Sequence, residues 1–295
     1  MKLLSFGEIL WDVYPASQHL GGAPLNLAAH AVLQGCEAWT VSAVGQDALG
    51  EKACAEVEMF EVHSEYIYRH PQKDTGRCMV TLDEKGVPSY NLLTDVAYDF
   101  IPAPVIHEED QFDVLAFGTL ALREEYNRET IRTMIEKKCC QQIYSDLNIR
   151  APFYSKESIL FCLQNATILK VSDEELPIVT MAVFHKEMGF QEAIPCIADT
   201  FEQIKLILVT RGEKGACCYD CEKKVLISCD AEPTEVVSTV GAGDSFGATF
   251  LATYFQGKPI QECLETAAKV SAFVVAHKEA IPTETKQWLR MYKIV

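Results

Sequence analysis

The clearest chemistry in the sequence lies at residues 237–247, VSTVGAGDSFG, which lead into an apolar helical stretch. Gly241, Ala242 and Gly243 are small enough for backbone N–H groups to approach an anion at a helix N-terminus. Asp244 falls in the same turn. A carboxylate there would repel a static phosphate. It makes sense if an incoming hydroxyl lies between it and a phosphoryl group. Asp244 can then take the hydroxyl proton while the N–H groups stabilise the charge of the transferring group. A second reading is that the glycines only tighten a loop into a helix. A dinucleotide fingerprint needs G-x-G-x-x-G at an early strand–helix turn, whereas this segment spaces Gly241, Gly243 and Gly247 differently and lies late in the chain. No GxxxxGK[ST] occurs, which excludes a P-loop enzyme.

A second segment, GGAPLN at 21–26, enters the first expected helix. Its paired glycines allow close approach to a ligand, and Pro24 suits a first helical turn. Asn26 offers both a donor and an acceptor. The same residues also read as a plain helix start with a polar cap.

The elements that must position these residues follow from the hydrophobic pattern. Strands are expected at 2–9, 37–44, 77–83, 87–93, 112–118, 142–148, 166–171 and 205–210. The turn Glu84-Lys85-Gly86 splits the third from the fourth. Helices are expected at 23–34, 47–60, 124–139 and 155–164, with another opening at Ser172. Two long ones, 242–256 and 259–277, end the chain. The alternation predicts an α/β fold, a mainly parallel sheet flanked by helices on both faces. Residues 10–22 and 76–102 break the rhythm and read as insertions forming a small separate sheet, a lid over one end. One domain spanning 1–295 is expected.

The formal net charge is −16, from 26 Lys+Arg and 42 Asp+Glu. That balance argues against sequence-independent nucleic-acid binding and against docking on anionic membranes. With neither a leader nor an 18-residue apolar run, a cytosolic location is expected. Twelve cysteines are present. Adjacent pairs (Cys139 with Cys140, Cys217 with Cys218) seldom bridge, and the GACCYDCEKKVLISC stretch reads as a hairpin carrying buried or edge-strand thiols.

Taken together, the motifs resemble the ribokinase-like, or phosphofructokinase B-type, carbohydrate kinases, and within them the fructokinase-type branch. The resemblance rests on GEILWDVYP (7–15), GGAPLN (21–26), VGQDALG (44–50), TGRCMVTLDEKG (75–86), SDLNIR (145–150), LKVSDEEL (169–176), VTRGEKGA (209–216) and TVGAGDSFGATF (239–250). It spans nearly the whole length.

The resemblance implies the following roles. Asp244 is the catalytic base, and Gly241, Ala242 and Gly243 form the anion hole. Asp12, Gly22, Asn26 and Arg150 bind the sugar, Arg150 through its guanidinium fork. Lys170, Ser172, Thr210 and Gly212 face the nucleotide. Glu175 organises magnesium, through water. The cofactors implied are ATP and Mg2+. Two departures bear on a monovalent cation: Ser238 stands where the family usually has Asp, and Lys278-Glu279-Ala280 replaces a glycine-alanine pair. Weaker potassium activation is therefore expected. Ser172 likewise replaces the usual Asn of an N-x-x-E block.

The expected reaction is ATP-dependent phosphorylation of fructose at its primary hydroxyl, with a homodimer forming through the lid. Rival readings are 2-keto-3-deoxygluconate, ribose or a nucleoside as acceptor, a non-catalytic sugar-binding regulator, and a dinucleotide oxidoreductase. An acid sugar would need a further cation near Arg150, for which Arg77 is a candidate.

Overall fold

In the computed structural model, residues 1–15, 17–82, 88–107, 110–292 and 294 are described. The elements in chain order begin with β1 (Lys2–Phe6), β2 (Leu10–Val13), β3 (Gln18–Gly21), α1 (Ala23–Leu33), β4 (Glu37–Gly45), α2 (Ala48–Met59) and β5 (Ile67–His70). Next come β6 (Gly76–Leu82), β7 (Pro88–Leu92), β8 (Phe112–Gly118), α3 (Glu125–Glu136), β9 (Cys140–Asp146), α4 (Lys156–Asn165) and β10 (Ile168–Ser172). The chain closes with α5 (Leu176–Phe184), α6 (Phe190–Thr200), β11 (Leu206–Thr210), β12 (Ala216–Asp220), β13 (Val225–Cys229), α7 (Ala242–Phe255), α8 (Ile260–Val275) and α9 (Thr285–Met291).

Nine strands form one sheet in the order β13-β12-β11-β10-β9-β8-β1-β4-β5. Every neighbouring pair from β11 to β5 is parallel, whereas β12 and β13 run antiparallel at one edge as a hairpin. The central strands are apolar on both faces, as a parallel sheet covered on both sides requires. Leu4, Leu115 and Val171 point into one apolar cluster, while Leu3, Val114 and Ile168 point into the other. The second cluster contains Leu25 and Leu27 of α1 together with Phe246 and Phe250 of α7, so these two helices lie together on one face.

A separate four-stranded sheet has the order β3-β2-β6-β7. Its middle pair, β2 and β6, is parallel and brings Asp12 opposite Cys78. The expected turn Glu84-Lys85-Gly86 lies outside the described residues. Two contacts among the described residues show how this sheet is tied to the main body. Asp47, which caps α2, also accepts hydrogen bonds from Thr75 N (2.8 Å) and Thr75 Oγ1 (2.7 Å) just before β6. The buried Trp11 donates from Nε1 to the Leu49 carbonyl (3.1 Å).

Some elements differ from expectation. Helix α5 starts at Leu176, not at Ser172, because Ser172 is still the last residue of β10 and 173–175 form a turn. The chain does not end on two long helices, since α9 follows them. Helix α6 was hidden by Pro195 inside it, and β5 by its half-exposed, four-residue length. All twelve cysteines are free thiols. No helix among the described residues is long and apolar enough to cross a membrane.

Candidate active site

Strand β1 lies between β4 and β8, so the chain leaves it in opposite directions along the sheet. In such sheets a crevice opens beyond the carboxyl ends of the strands at that switch point. A cleft is present there. Its lining includes Glu8 after β1, Thr119 after β8, Tyr144 and Asp146 of β9, Asn148 and Asp244.

Two glycine-bearing helix starts face this cleft. Gly22 precedes α1 with φ +121, and a Cβ there would lie 2.2 Å from the Glu8 carbonyl oxygen. Only glycine permits that approach. The Ala23 N–H then donates to Glu8 Oε1 at 3.2 Å. Gly241 precedes α7 with φ +79, and its missing Cβ makes room for the Ala280 backbone, 2.6 Å away at the carbonyl oxygen. Of the three candidate anion-hole residues, Ala242 spends its N–H on a long bond to Thr239 O (3.3 Å). Gly243 adjoins Lys170, whose Nζ would be 3.1 Å from an added Cβ. A cation therefore sits beside the N-terminus of α7, where the helix dipole also favours an anion.

Asp244 is 9% exposed and accepts a hydrogen bond from Asn26 Nδ2 at 2.8 Å. Burial raises its pKa to about 6; the bond from Asn26 opposes the shift, Asp146 adds to it, and Lys170 and Arg150 oppose it. Lys170 pairs with Asp146 at 2.7 Å. Burial works to lower the lysine's pKa, but Asp146 and the neighbouring acids outweigh it, so Lys170 stays charged. Arg150 is exposed at the mouth, close enough to favour the charged forms of Glu8, Asp12 and Asp244.

Asn26 begins a polar row along an otherwise apolar helix. His30 Nε2 donates to the Ala280 carbonyl (2.8 Å) and Gln34 Nε2 to Thr249 Oγ1 (3.0 Å). These three residues recur every four positions and so share one face of α1. His30 is fully buried, and burial lowers its pKa to about 4, so it is neutral.

The other expected residues lie around this centre. Asp12 sits in the small sheet, its pKa raised by burial, with Gly21 close beside its carboxylate. Glu175 accepts from Ser172 N (2.8 Å) and Ile149 N (2.5 Å), while Ser172 Oγ accepts from Glu175 N (3.2 Å). This box ties the end of β10 to the loop carrying Arg150. Thr210 is paired in register with Ser172. Gly212 opens a turn with φ +54, two residues beyond Thr210. No hydrogen bond or ion pair among the described residues joins Thr210 or Gly212 to the Asp244 centre.

Sequence reasoning did not single out Glu8, Asp146 or Tyr144. Glu8 is 5% exposed, and burial pushes its pKa to about 7 against the bond from Ala23. Glu8 and Asp146 stand inside the quoted blocks GEILWDVYP and SDLNIR, which was the available signal. Tyr144 sits in a mixed strand run, CQQIYSD, that gave none.

The match to the pfkB family carbohydrate kinases covers residues 5–287, and the chain belongs to that family. It is therefore a carbohydrate kinase with the ribokinase-like fold. A fructokinase of Salmonella typhimurium is 28% identical over 269 residues, 85% of this chain and 84% of that protein. A nucleoside kinase of Methanocaldococcus jannaschii is 23% identical, over 94% of this chain and 87% of that one. A sugar kinase of Pyrococcus horikoshii, solved in complex with ATP, superposes with a TM-score of 0.83 at 25% identity, covering 99% of this chain and 98% of that one.

The buried acids give the fold a pH signature. Glu8 titrates higher in the folded chain (about 7) than its ordinary 4.5, so the folded state binds the extra proton between those values. Its contribution to stability is full below pH 4.5 and is lost as pH rises through 7. Replacing Glu8→Gln removes that loss. The stability difference between variant and wild type is expected to grow by about 3 kcal/mol from pH 4.5 to pH 8. Urea unfolding at both pH values reads it, and a difference that stays constant contradicts the assignment. His30 has the opposite sign, its contribution falling away as pH drops from 6.5 towards 4, so only the variant–wild-type difference isolates Glu8.

Proposed function

We propose that the chain transfers the terminal phosphoryl group of ATP to a sugar primary hydroxyl, converting fructose to fructose 6-phosphate. The observation that carries this reading is the arrangement at the start of α7. There a desolvated carboxylate, Asp244, is aimed by Asn26, beside the backbone of Gly243 and the ammonium of Lys170. A base next to an anion-binding helix end suits deprotonation of a hydroxyl as it meets a phosphoryl group. The fructokinase relative supports fructose over other sugars.

Each remaining residue takes a role in that reaction. Asp12, Gly22, Asn26 and Arg150 bind the sugar, Gly22 by allowing close approach of the backbone. Lys170 neutralises the transferring group, and Gly241, Ala242 and Gly243 supply N–H groups. Ser172, Thr210 and Gly212 line the nucleotide side along the ends of β10 and β11. The described residues contain no cluster of three or more His, Cys, Asp or Glu able to hold a metal. That donor set suits Mg2+ held mostly by phosphate oxygens and water, with Glu175 acting through water. When bound, the ion would offset charge on the phosphate oxygens. The chain works as one domain over 1–295, with the small sheet as a lid that excludes water.

Asp244→Asn is expected to cut turnover by about three orders of magnitude or more while sugar binding, measured by calorimetry, stays near wild type. In the wild type, kcat/KM should fall on the acid side of about pH 6 as Asp244 takes up a proton. Near-wild-type turnover by the variant would refute the mechanism.

A coupled ADP-release assay over fructose, 2-keto-3-deoxygluconate, ribose and nucleosides should give the highest kcat/KM with fructose. Activity should depend only weakly on potassium, given Ser238. A nucleoside or acid sugar ranking first, or an absolute potassium requirement, overturns the corresponding part.

The chain is expected to dimerise through the small sheet, whose Met79 is exposed on β6. Light scattering at micromolar concentration should give twice the chain mass, and a monomer alone removes the claim.

A further inference from the structure

Tyr144 belongs to no motif, yet its environment is unusual. The residue is fully buried and lines the cleft with Asp244. Its hydroxyl has no hydrogen-bond partner among the described residues. A buried hydroxyl left unpaired lowers stability, and phenylalanine would fill the same space without that cost. The catalytic helix is also shaped around the hydroxyl. A Cβ on Gly247, three residues after Asp244, would lie 2.2 Å from Tyr144 Oη. The glycine that closes the VSTVGAGDSFG segment thus admits this one oxygen to the second turn of α7, one turn after Asp244.

The charges facing this oxygen define what it can do. Burial, then Asp146 and Asp244, raise the phenol well above its usual pKa, so it remains protonated and acts as a donor. Asp146 shares strand β9 with it and is already paired with Lys170 of β10. Asp244 on α7 has Asn26 of α1 as its one donor side chain among the described residues. Glu8, after β1, adds negative charge, and Arg150, at the mouth, adds the remaining positive charge. Asp146 Oδ1 also lacks a hydrogen-bond partner, but Lys170 already offsets the charge of that group, whereas no ion pair among the described residues offsets Asp244.

We infer that Tyr144 is a positioning residue for the base: its hydroxyl donates a hydrogen bond through an intervening water to the Asp244 carboxylate, holding that group charged and aimed. A water spanning two polar groups beyond direct reach is nearly as effective as a direct bond. The inference rests on the role proposed for Asp244 and adds to it.

The test is Tyr144→Phe, an isosteric change, assayed beside Asp244→Asn. Losing a donor to a charged acceptor moves the acid limb of the kcat/KM profile up by about one pH unit, so kcat/KM at pH 6 drops about fivefold. The variant should fold as well as the wild type, with an unchanged or higher Tm, and the KM for sugar should hold. An acid limb that stays in place overturns the inference, whether kcat is normal or reduced. A reduced kcat with a fixed limb would assign the hydroxyl to Asp146 instead. Should Asp244→Asn itself turn over normally, the reading of the base fails, and the two failures are told apart.

Discussion

One hydrogen bond, from Asn26 to Asp244, joins residues 218 positions apart in the chain and fixes the geometry of everything around it. Both groups are nearly sealed from water, so a lost partner would leave a buried polar atom unpaired. The bond holds only if both helix starts are placed. The first is set from the sheet: Ser5 Oγ donates to the Pro24 carbonyl (2.7 Å), and Glu8 takes the Ala23 N–H. The second is set by Ala280 backing onto Gly241 and by Tyr144 reaching under Gly247. The apolar packing of α1 on α7 supplies cohesion, and the polar contacts select one alignment out of many.

Much of this was legible in the sequence, for local reasons. Glycines followed by a helix pattern mark a tight turn into a helix, so the starts of α1 and α7 at Gly22 and Gly241 could be found from spacing. Asp47 and Ser155 were legible as helix starts because capping is a short-range bond, and each side chain accepts from an N–H three residues on. What stayed hidden depends on register between distant strands. Tyr144 reads as core in a run of alternating strand residues, and only the pairing of β9 with its neighbours brings it beneath α7. Glu175 was read through its block as a metal organiser. Its two backbone bonds show that it also ties the Arg150 loop to β10.

The acidity of the chain meets the chemistry at this centre. The net charge is −16, and three carboxyl groups crowd the cleft lining. Asp146 is neutralised by Lys170, Glu8 is only partly ionised near neutral pH, and Asp244 titrates near 6. Negative charge is thereby spread across different protonation states, and the floor can host a base without a second full charge beside it. Desolvation makes the carboxylate a stronger acceptor of protons, at a cost in stability that the surrounding core must absorb.

The row at Asn26, His30 and Gln34 also constrains how the gene can vary. An α-helix turns about 100° per residue, so inserting or deleting a single residue between positions 26 and 34 would swing the later contacts a quarter-turn or more off α7. Most surface loops of this chain can change length without such a penalty. The eight-residue interval in α1 acts as a fixed ruler, so among divergent copies of this enzyme its length should vary less than the residues that fill it.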